Sequence, residues 1–256
     1  MTLVSCLDLH IDDSIATLTI RRQHKLNALT GQLVDDLFDA CRKIEKSNAW
    51  VVIISGEGSK AFSAGGDIED WSSLCAEDFA LRWVRDGHDA FDALARLRQP
   101  VIAVLNGHTL GGGLELAACA DYRIAESHVK LGQPEAGLGI ITGWSGSQRA
   151  SRRLGAQIVR RMTLFGEIFE ANTALHLGIV DQVVESGAGM ASAKVLADKV
   201  LKRSPKATMI SKMLINAAEG EERERVIESL GGWAASMESD LVEGLSAFRE
   251  KRKPSF

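Results

Sequence analysis

The sequence predicts an α/β fold that ends in a helical region, and three observations carry this. Val51-Val-Ile-Ile54 and Val101-Ile-Ala-Val-Leu105 are short, continuous apolar runs, the mark of strands covered on both faces. Between and after them, apolar residues recur at helical spacing. Beyond Gln148 strand-like runs give way to a succession of helical stretches. Alternation of strand and helix in one half of a chain means an α/β layer arrangement. The 256 residues suit one large domain or two small ones. We divide them into a core at 1–198 that carries the site and a helical C-terminal region at 199–256.

The elements follow in order. Ser14 to Ile20 alternates polar and apolar residues, as a half-buried strand does. Thr30 is placed as a helix N-cap, followed by an apolar stripe of Leu33, Val34, Leu37, Phe38, Cys41 and Ile44. Strand 51–54 comes next. Phe79, Trp83, Val84, Phe91, Leu94 and Leu97 mark a helix over 76–97, which Pro100 closes before strand 101–105. Gly111 to Cys119 is expected as a short buried helix and Asp121 to Ala125 as a further strand. Residues 155–166, 170–178, 190–217 and 221–252 read as helices, with Pro205 starting a new one.

Composition removes several function classes. Apolar residues make 45% and charged residues 25% of the chain, the balance of an ordinary globular protein. The formal charge of −4 argues against nucleic-acid binding, which needs a basic face. No apolar run is long enough to span a bilayer. The first twenty residues carry Asp8, His10, Asp12 and Asp13 and no basic start, so they do not read as a secretory signal. Cys6, Cys41, Cys75 and Cys119 form no C-x-x-C pair and are expected to be reduced, in a cytoplasmic protein. The six histidines lack metal-ligand spacing, so no metal is expected. No membrane partner is expected either.

Chemistry concentrates at two glycine clusters. Phe62-Ser-Ala-Gly-Gly-Asp-Ile68 and Asn106-Gly-His-Thr-Leu-Gly-Gly-Gly-Leu-Glu115 each follow a buried strand and lead into a helix. Such turns expose unpaired N–H groups at a positive helix end. Two side by side can aim two donors at one oxygen, the geometry of an oxyanion hole. Other glycine motifs fail. Gly137-Leu-Gly139 lacks the third glycine of a dinucleotide fingerprint, no G-K-[ST] exists, and Gly143-Trp-Ser-Gly-Ser147 ends in Ser where a nucleophile elbow needs Gly. Glu115 and Glu135 both sit in apolar, glycine-rich surroundings. Each is either an ordinary helix-start charge or a buried carboxylate. Two dry carboxylates beside an oxyanion hole would have raised pKa values suited to acid/base work.

Three segments in order resemble the enoyl-CoA hydratase/isomerase (crotonase) family. Ala61-Phe-Ser-Ala-Gly-Gly-Asp-Ile68 resembles its A-F-x-A-G-x-D-I. Asn106 to Ala117 resembles its N-G-x-x-x-G-G-G-x-E-L-A, and Gly132-Gln-Pro-Glu135 its G-Q-P-E. Asn27-Ala-Leu29 and the tail Ala247 to Phe256 also fit, so the likeness spans nearly the whole chain. The resemblance implies a spiral of ββα units with a helical C-terminal trimerisation region. It implies an enoyl-CoA hydratase, with Glu115 and Glu135 as acid/base groups and the N–H groups of Ala64 and Gly112 as oxyanion donors. His24, Lys25 and Leu26, together with Ala64, Gly65, Gly66, Asp67 and Ile68, would bind the substrate's coenzyme A. Gly111, Gly143 and Trp144 would line the site, and Phe248 and Lys251 would reach the adenine end in a neighbouring subunit.

The same resemblance implies no separate cofactor, an acyl-CoA thioester substrate and a homotrimer or dimer of trimers. There are two departures: Gln23 stands near the place of the family's early Pro, and the second bears on the acyl group. The family's P-G-x-G-G-x-Q-R becomes Thr142-Gly-Trp-Ser-Gly-Ser-Gln-Arg149. Trp144 pointing inward would narrow the acyl pocket; pointing outward it would be a packing or interface residue. Rival readings on the same scaffold are an enoyl-CoA isomerase, a carnitinyl-CoA-type dehydratase, a thioester or C–C hydrolase, and a non-catalytic RNA-binding member.

Overall fold

The computed structural model describes residues 6–256. They form two compact units, one extending to Ile210 and one of Ser211–Phe256. The boundary falls inside one helix, past the 198/199 division expected from sequence.

The first unit opens with a hairpin, β1 (Leu7–Asp12) and β2 (Ile15–Ile20), paired antiparallel. Sequence analysis found β2 and missed β1, in which only Leu7 is buried. Helix α1 (Gly31–Glu45) starts where expected, with Thr30 Oγ1 accepting from the Leu33 amide at 3.2 Å. Strand β3 (Val51–Gly56) is followed at once by β4 (Ala61–Ser63). Two short helices, α2 (Ile68–Trp71) and α3 (Ala76–Asp78), precede a π-helical turn at Phe79–Trp83 and helix α4 (Val84–Ala95). The helix expected over 76–97 is therefore present, unbroken over 76–95, with one wider π turn inside it, a local feature frequent at functional sites.

The next cycles repeat the pattern. Strands β5 (Val101–Leu105) and β6 (His108–Leu110) lead into helix α5 (Gly112–Ala117). Strands β7 (Tyr122–Glu126) and β8 (Lys130–Gly132) follow. Helix α6 (Ala156–Phe165), strand β9 (Phe169–Glu170), helix α7 (Ala171–His176), strand β10 (Gln182–Val184) and helix α8 (Gly189–Leu201) complete the unit. Helix α9 (Pro205–Ala218) crosses the unit boundary.

Each cycle thus places one strand in each of two sheets. The larger has the order β1-β2-β3-β5-β7-β10, parallel from β2 onward, and the smaller β4-β6-β8-β9. Alternation along the central strands separates two apolar layers. Val52, Ile54, Ala103 and Leu105 face the main core with α1 and α4 residues such as Leu37 and Phe91. Val51, Ile53, Ile102 and Val104 face Ala193 and Ala197 of α8. Strands covered on both faces explain the unbroken apolar runs. In the smaller sheet β4 and β6 run parallel, so their carboxyl ends, and the glycine turns beyond them, lie together.

The second unit contains the end of α9, helix α10 (Arg223–Ser236) and helix α11 (Ser239–Glu250). It leaves large apolar side chains uncovered, among them Ile227, Met237, Val242 and Phe248. No helix of the described residues is long and apolar enough to cross a membrane.

Candidate active site

The turns after β4 and β6 border a cleft of about 590 Å³, counted out to its mouth. Glu115 and Glu135 both line it, with Gly66, Gly111, Gly112, Gly143 and Trp144. Glu115 sits in the first turn of α5 and is 3% exposed. Its Oε1 accepts the amides of Trp144 at 2.7 Å and Gly146 at 2.6 Å. Gly146 must lack a side chain, because a Cβ would lie 2.6 Å from Gln133 Nε2 and 2.7 Å from Glu115 Oε1.

Burial pushes Glu115 up to about 7, the Glu135 charge adds to the rise, and the amides of Trp144, Gly146 and Gly143 oppose it. Glu135 follows Pro134 in a 3-10 turn, Glu135–Leu138. Both of its carboxyl oxygens are buried without a partner on another described residue. Burial raises its pKa as well, against its own amide. A Cβ on Gly111 would stand 2.7 Å from Glu135 Oε1, and Gly111 has φ 54. Only glycine suits both the space and the backbone there. An unpartnered carboxyl in a dry pocket is costly, and two such groups together favour holding one proton between them.

The oxyanion donors need a correction. The N–H of Ala64 is engaged, donating to the Leu26 carbonyl at 3.0 Å. The segment at Leu29 takes two more bonds, Leu29 N–H to Gly65 O and Asp67 N–H to Leu29 O, both 2.8 Å. Gly65, at φ 100, turns the chain between these contacts and leaves the Gly66 N–H without an acceptor among the described residues. That amide lies beside α5: a Cβ on Gly112 would be 3.3 Å from Gly66 N, and one on Gly65 would be 3.1 Å from Gly112 N. Gly112 opens α5, so its own N–H is one of the orphan donors of a helix start. The free pair is therefore Gly66 and Gly112, not Ala64 and Gly112. Ala64 remains a lining residue.

Of the other expected binding residues, Gly65 and Ile68 line the cleft, whereas His24, Lys25, Leu26 and Asp67 do not. His24 and Lys25 are exposed in a 3-10 turn that Leu26 closes at φ 52. Buried Asn27 pins that turn, its Nδ2 donating to Ala61 O at 2.7 Å and to Glu57 O at 3.0 Å. Lys25 Nζ pairs with Glu69 at 2.8 Å. The Asp67 side chain is occupied: it caps α2 through the Glu69 amide and pairs with Arg22 at 2.8 Å. Burial works against its ionisation, but the Arg22 hydrogen bond, the Glu69 amide and the charges of Arg22 and Lys25 outweigh it and hold the carboxyl below its usual range. Ile68 lines the cleft mouth. Phe248 and Lys251 belong to the second unit, Phe248 exposed and Lys251 at the end of α11.

Trp144 points inward and is 2% exposed. Its Nε1–H donates to the Trp83 carbonyl at 3.0 Å, and its ring meets Trp83 and Phe91 with centroids 5.0 and 5.1 Å away. A Cβ on Gly112 would be 3.0 Å from that ring, and one on Gly87 only 1.9 Å from Nε1. Sequence analysis read Phe79 and Trp83 only as apolar positions at helical spacing and gave Trp71 and Gly87 no role. Trp71, Phe79 and Trp83 in fact line the cleft. Helical periodicity gives no sign of this, because the π turn moves Phe79 and Trp83 off the stripe of the helix that follows.

Residues 10–256 match the family model described as enoyl-CoA hydratase/isomerase. The chain is 34% identical over 248 residues to a crotonyl-CoA hydratase of Syntrophomonas wolfei, covering 96% of this chain and 95% of that one. It is 35% identical to a short-chain-enoyl-CoA hydratase of Clostridium acetobutylicum, covering 94% of each. Among solved structures, an enoyl-CoA hydratase of Bacillus anthracis aligns with a TM-score of 0.80 and 29% identity, covering 98% of each chain. Pseudomonas aeruginosa DspI aligns with a TM-score of 0.80 and 32% identity, covering 99% of this chain and 97% of its own. With matching motifs, a matching spiral fold and two glutamates facing one cleft, the chain belongs to the enoyl-CoA hydratase/isomerase family.

Proposed function

We propose that the protein is an enoyl-CoA hydratase, adding water reversibly across the 2,3-double bond of an enoyl-CoA thioester. The observation that carries this is the pair of buried glutamates, Glu115 and Glu135, beside two unengaged amides. The thioester carbonyl oxygen accepts from Gly66 and Gly112 N–H. As water adds at Cβ, charge moves onto that oxygen, and fixed donors stabilise it without reorganising. Losing one such donor typically costs about 10²–10³ in rate. Water lies between the carboxyl groups. The ionised one takes its proton while the protonated one delivers a proton to Cα, each worth about 10²–10⁴. After one turnover the pair again holds one proton, now on the other carboxyl, and its transfer back through water between the two groups resets the site without a cofactor. Coenzyme A enters as part of the substrate, across the rim at His24–Leu26 and Gly65–Ile68.

The second unit supports self-association. Met237 is 75% and Phe248 84% exposed, and such surfaces mark interfaces. The assembly is a homotrimer or a dimer of trimers, in which Phe248 and Lys251 reach a neighbour's bound CoA. Light scattering at micromolar concentration tests this; a stable monomer overturns it. The reaction is tested by Glu115→Gln and Glu135→Gln. Each should lower crotonyl-CoA hydration by orders of magnitude while thioester binding persists, and near-normal turnover in either removes that residue from the chemistry.

A further inference from the structure

The hydratase reading leaves the acyl group open, and the inference below rests on that reading. We propose that the acyl pocket selects acyl groups that carry a flat aryl ring at Cβ over long saturated chains. The chain has 8 Phe, 5 Trp and 1 Tyr, yet Trp71, Phe79, Trp83 and Trp144 all line this one cleft. They form two tilted pairs: Trp71 with Phe79 at 5.6 Å and 60°, Trp83 with Trp144 at 5.0 Å and 41°.

These rings stand beside the reacting end, not at a remote tail site. A Cβ on Gly66 would lie 3.1 Å from the Trp83 ring and 3.5 Å from Trp71 Nε1, while the Trp144 ring backs onto Gly112. Both free amides are therefore flanked by indoles. A substituent on the β-carbon, two bonds beyond the carbonyl carbon, is held at the level of these rings.

The wall is anchored at Trp144. Trp144 is locked by its bond to the Trp83 carbonyl. Phe79 and Trp83 are the first and last residues of the π turn, which sets them on one side, and with Trp71 they are only half-buried. Rigid aromatic walls reward a flat partner by offset or edge-to-face contact. They adapt poorly to a flexible chain, which must also lose rotamer freedom on binding. Among the described residues, no charged side chain apart from the two glutamates lines the cleft; Ile68, Leu138, Ile140 and Ile141 are also part of its wall. A carboxylated acyl group finds no cation there.

The test uses two unreactive saturated thioesters, 3-phenylpropanoyl-CoA and octanoyl-CoA, titrated by calorimetry into the purified full-length protein. The phenyl ligand should bind about tenfold tighter, the gain that one to two aromatic contacts supply. Trp83→Leu and, independently, Trp71→Leu should each lower that ratio about two- to tenfold. Equal or tighter binding of octanoyl-CoA, or of a γ-trimethylammonio-butanoyl thioester, overturns the assignment. So does a ratio that both variants leave unchanged. Turnover of crotonyl-CoA and of the aryl enoyl thioester cinnamoyl-CoA by the unaltered protein is measured in parallel. Turnover with no aryl preference sinks the pocket assignment alone, and aryl preference without turnover of any enoyl thioester sinks the hydratase reading.

Discussion

Replacing Gly87 by Ala adds one methyl group, deep in α4. In an ordinary helix interior that change stabilises by about 1 kcal/mol, because alanine loses less backbone freedom on folding. Here the new Cβ would lie 1.9 Å from Trp144 Nε1, 2.2 Å from Cδ1 and 2.4 Å from Cε2. The indole cannot yield freely: it is 2% exposed and packed against Trp83 and Phe91. Overpacking of this kind costs about 1–3 kcal/mol. Pushing the ring aside also breaks the Nε1–H bond to the Trp83 carbonyl, another ~0.5–1.5 kcal/mol. The net expectation is a loss of about 0.5–3.5 kcal/mol where propensity alone predicts a gain. Activity should fall too. The Trp144 amide holds Glu115 Oε1, and its ring backs onto Gly112, so displacement misplaces the proposed acid/base group and one of the two proposed oxyanion donors together. A shift of about 1 Å at such groups can cost 10²-fold in kcat. Urea denaturation and crotonyl-CoA kinetics measure both effects. In a Trp144→Leu background the added methyl meets no indole, so Gly87→Ala should cost less there, by a coupling of about 0.5–3 kcal/mol. A Gly87→Ala protein as stable as its parent, with unchanged kcat, would refute the wedge.

Three further outcomes follow from the same geometry. Glu115 has its pKa raised from 4.5 to about 7, so the folded state holds this proton where the unfolded chain has released it. Its contribution to stability is whole below pH 4.5 and is lost as pH rises through about 7, on the order of 3 kcal/mol; Glu115→Gln should flatten that decline, and an unaltered pH dependence of denaturation would count against a buried, protonatable Glu115. Because the proposed mechanism needs one carboxyl charged and the other protonated, kcat/KM for hydration should be bell-shaped in pH, and a flat profile across both limbs would exclude the paired mechanism. Ser145 sits at φ 74 where the family pattern has glycine; Ser145→Gly should raise stability by about 0.5–1 kcal/mol in thermal unfolding, whereas a loss would mean that the Ser145 hydroxyl, 3.4 Å from His88 Nδ1, matters more than backbone strain.

Much of the protein was determined by sequence alone. The unbroken apolar runs 51–54 and 101–105, the Thr30 cap and its stripe, and the Pro205 helix start are local patterns, and local patterns survive into the fold. So did the two glycine turns and the two glutamates, because glycine at a strand-to-helix turn and a carboxyl in apolar surroundings are rare enough to stand out. The smaller sheet was not legible: β4, β6 and β8 have three residues each and β9 two, too few to show a period of two. Which amide of the 64–66 turn is free was not legible either, since it depends on where Leu26 and Leu29 place their bonds, some forty residues away. The direction of Trp144 was open for the same reason. Nothing near it in the chain points the indole inward; the space that Gly87 leaves, and the carbonyl that Trp83 offers, exist only once α4 and the loop after Glu135 have packed together.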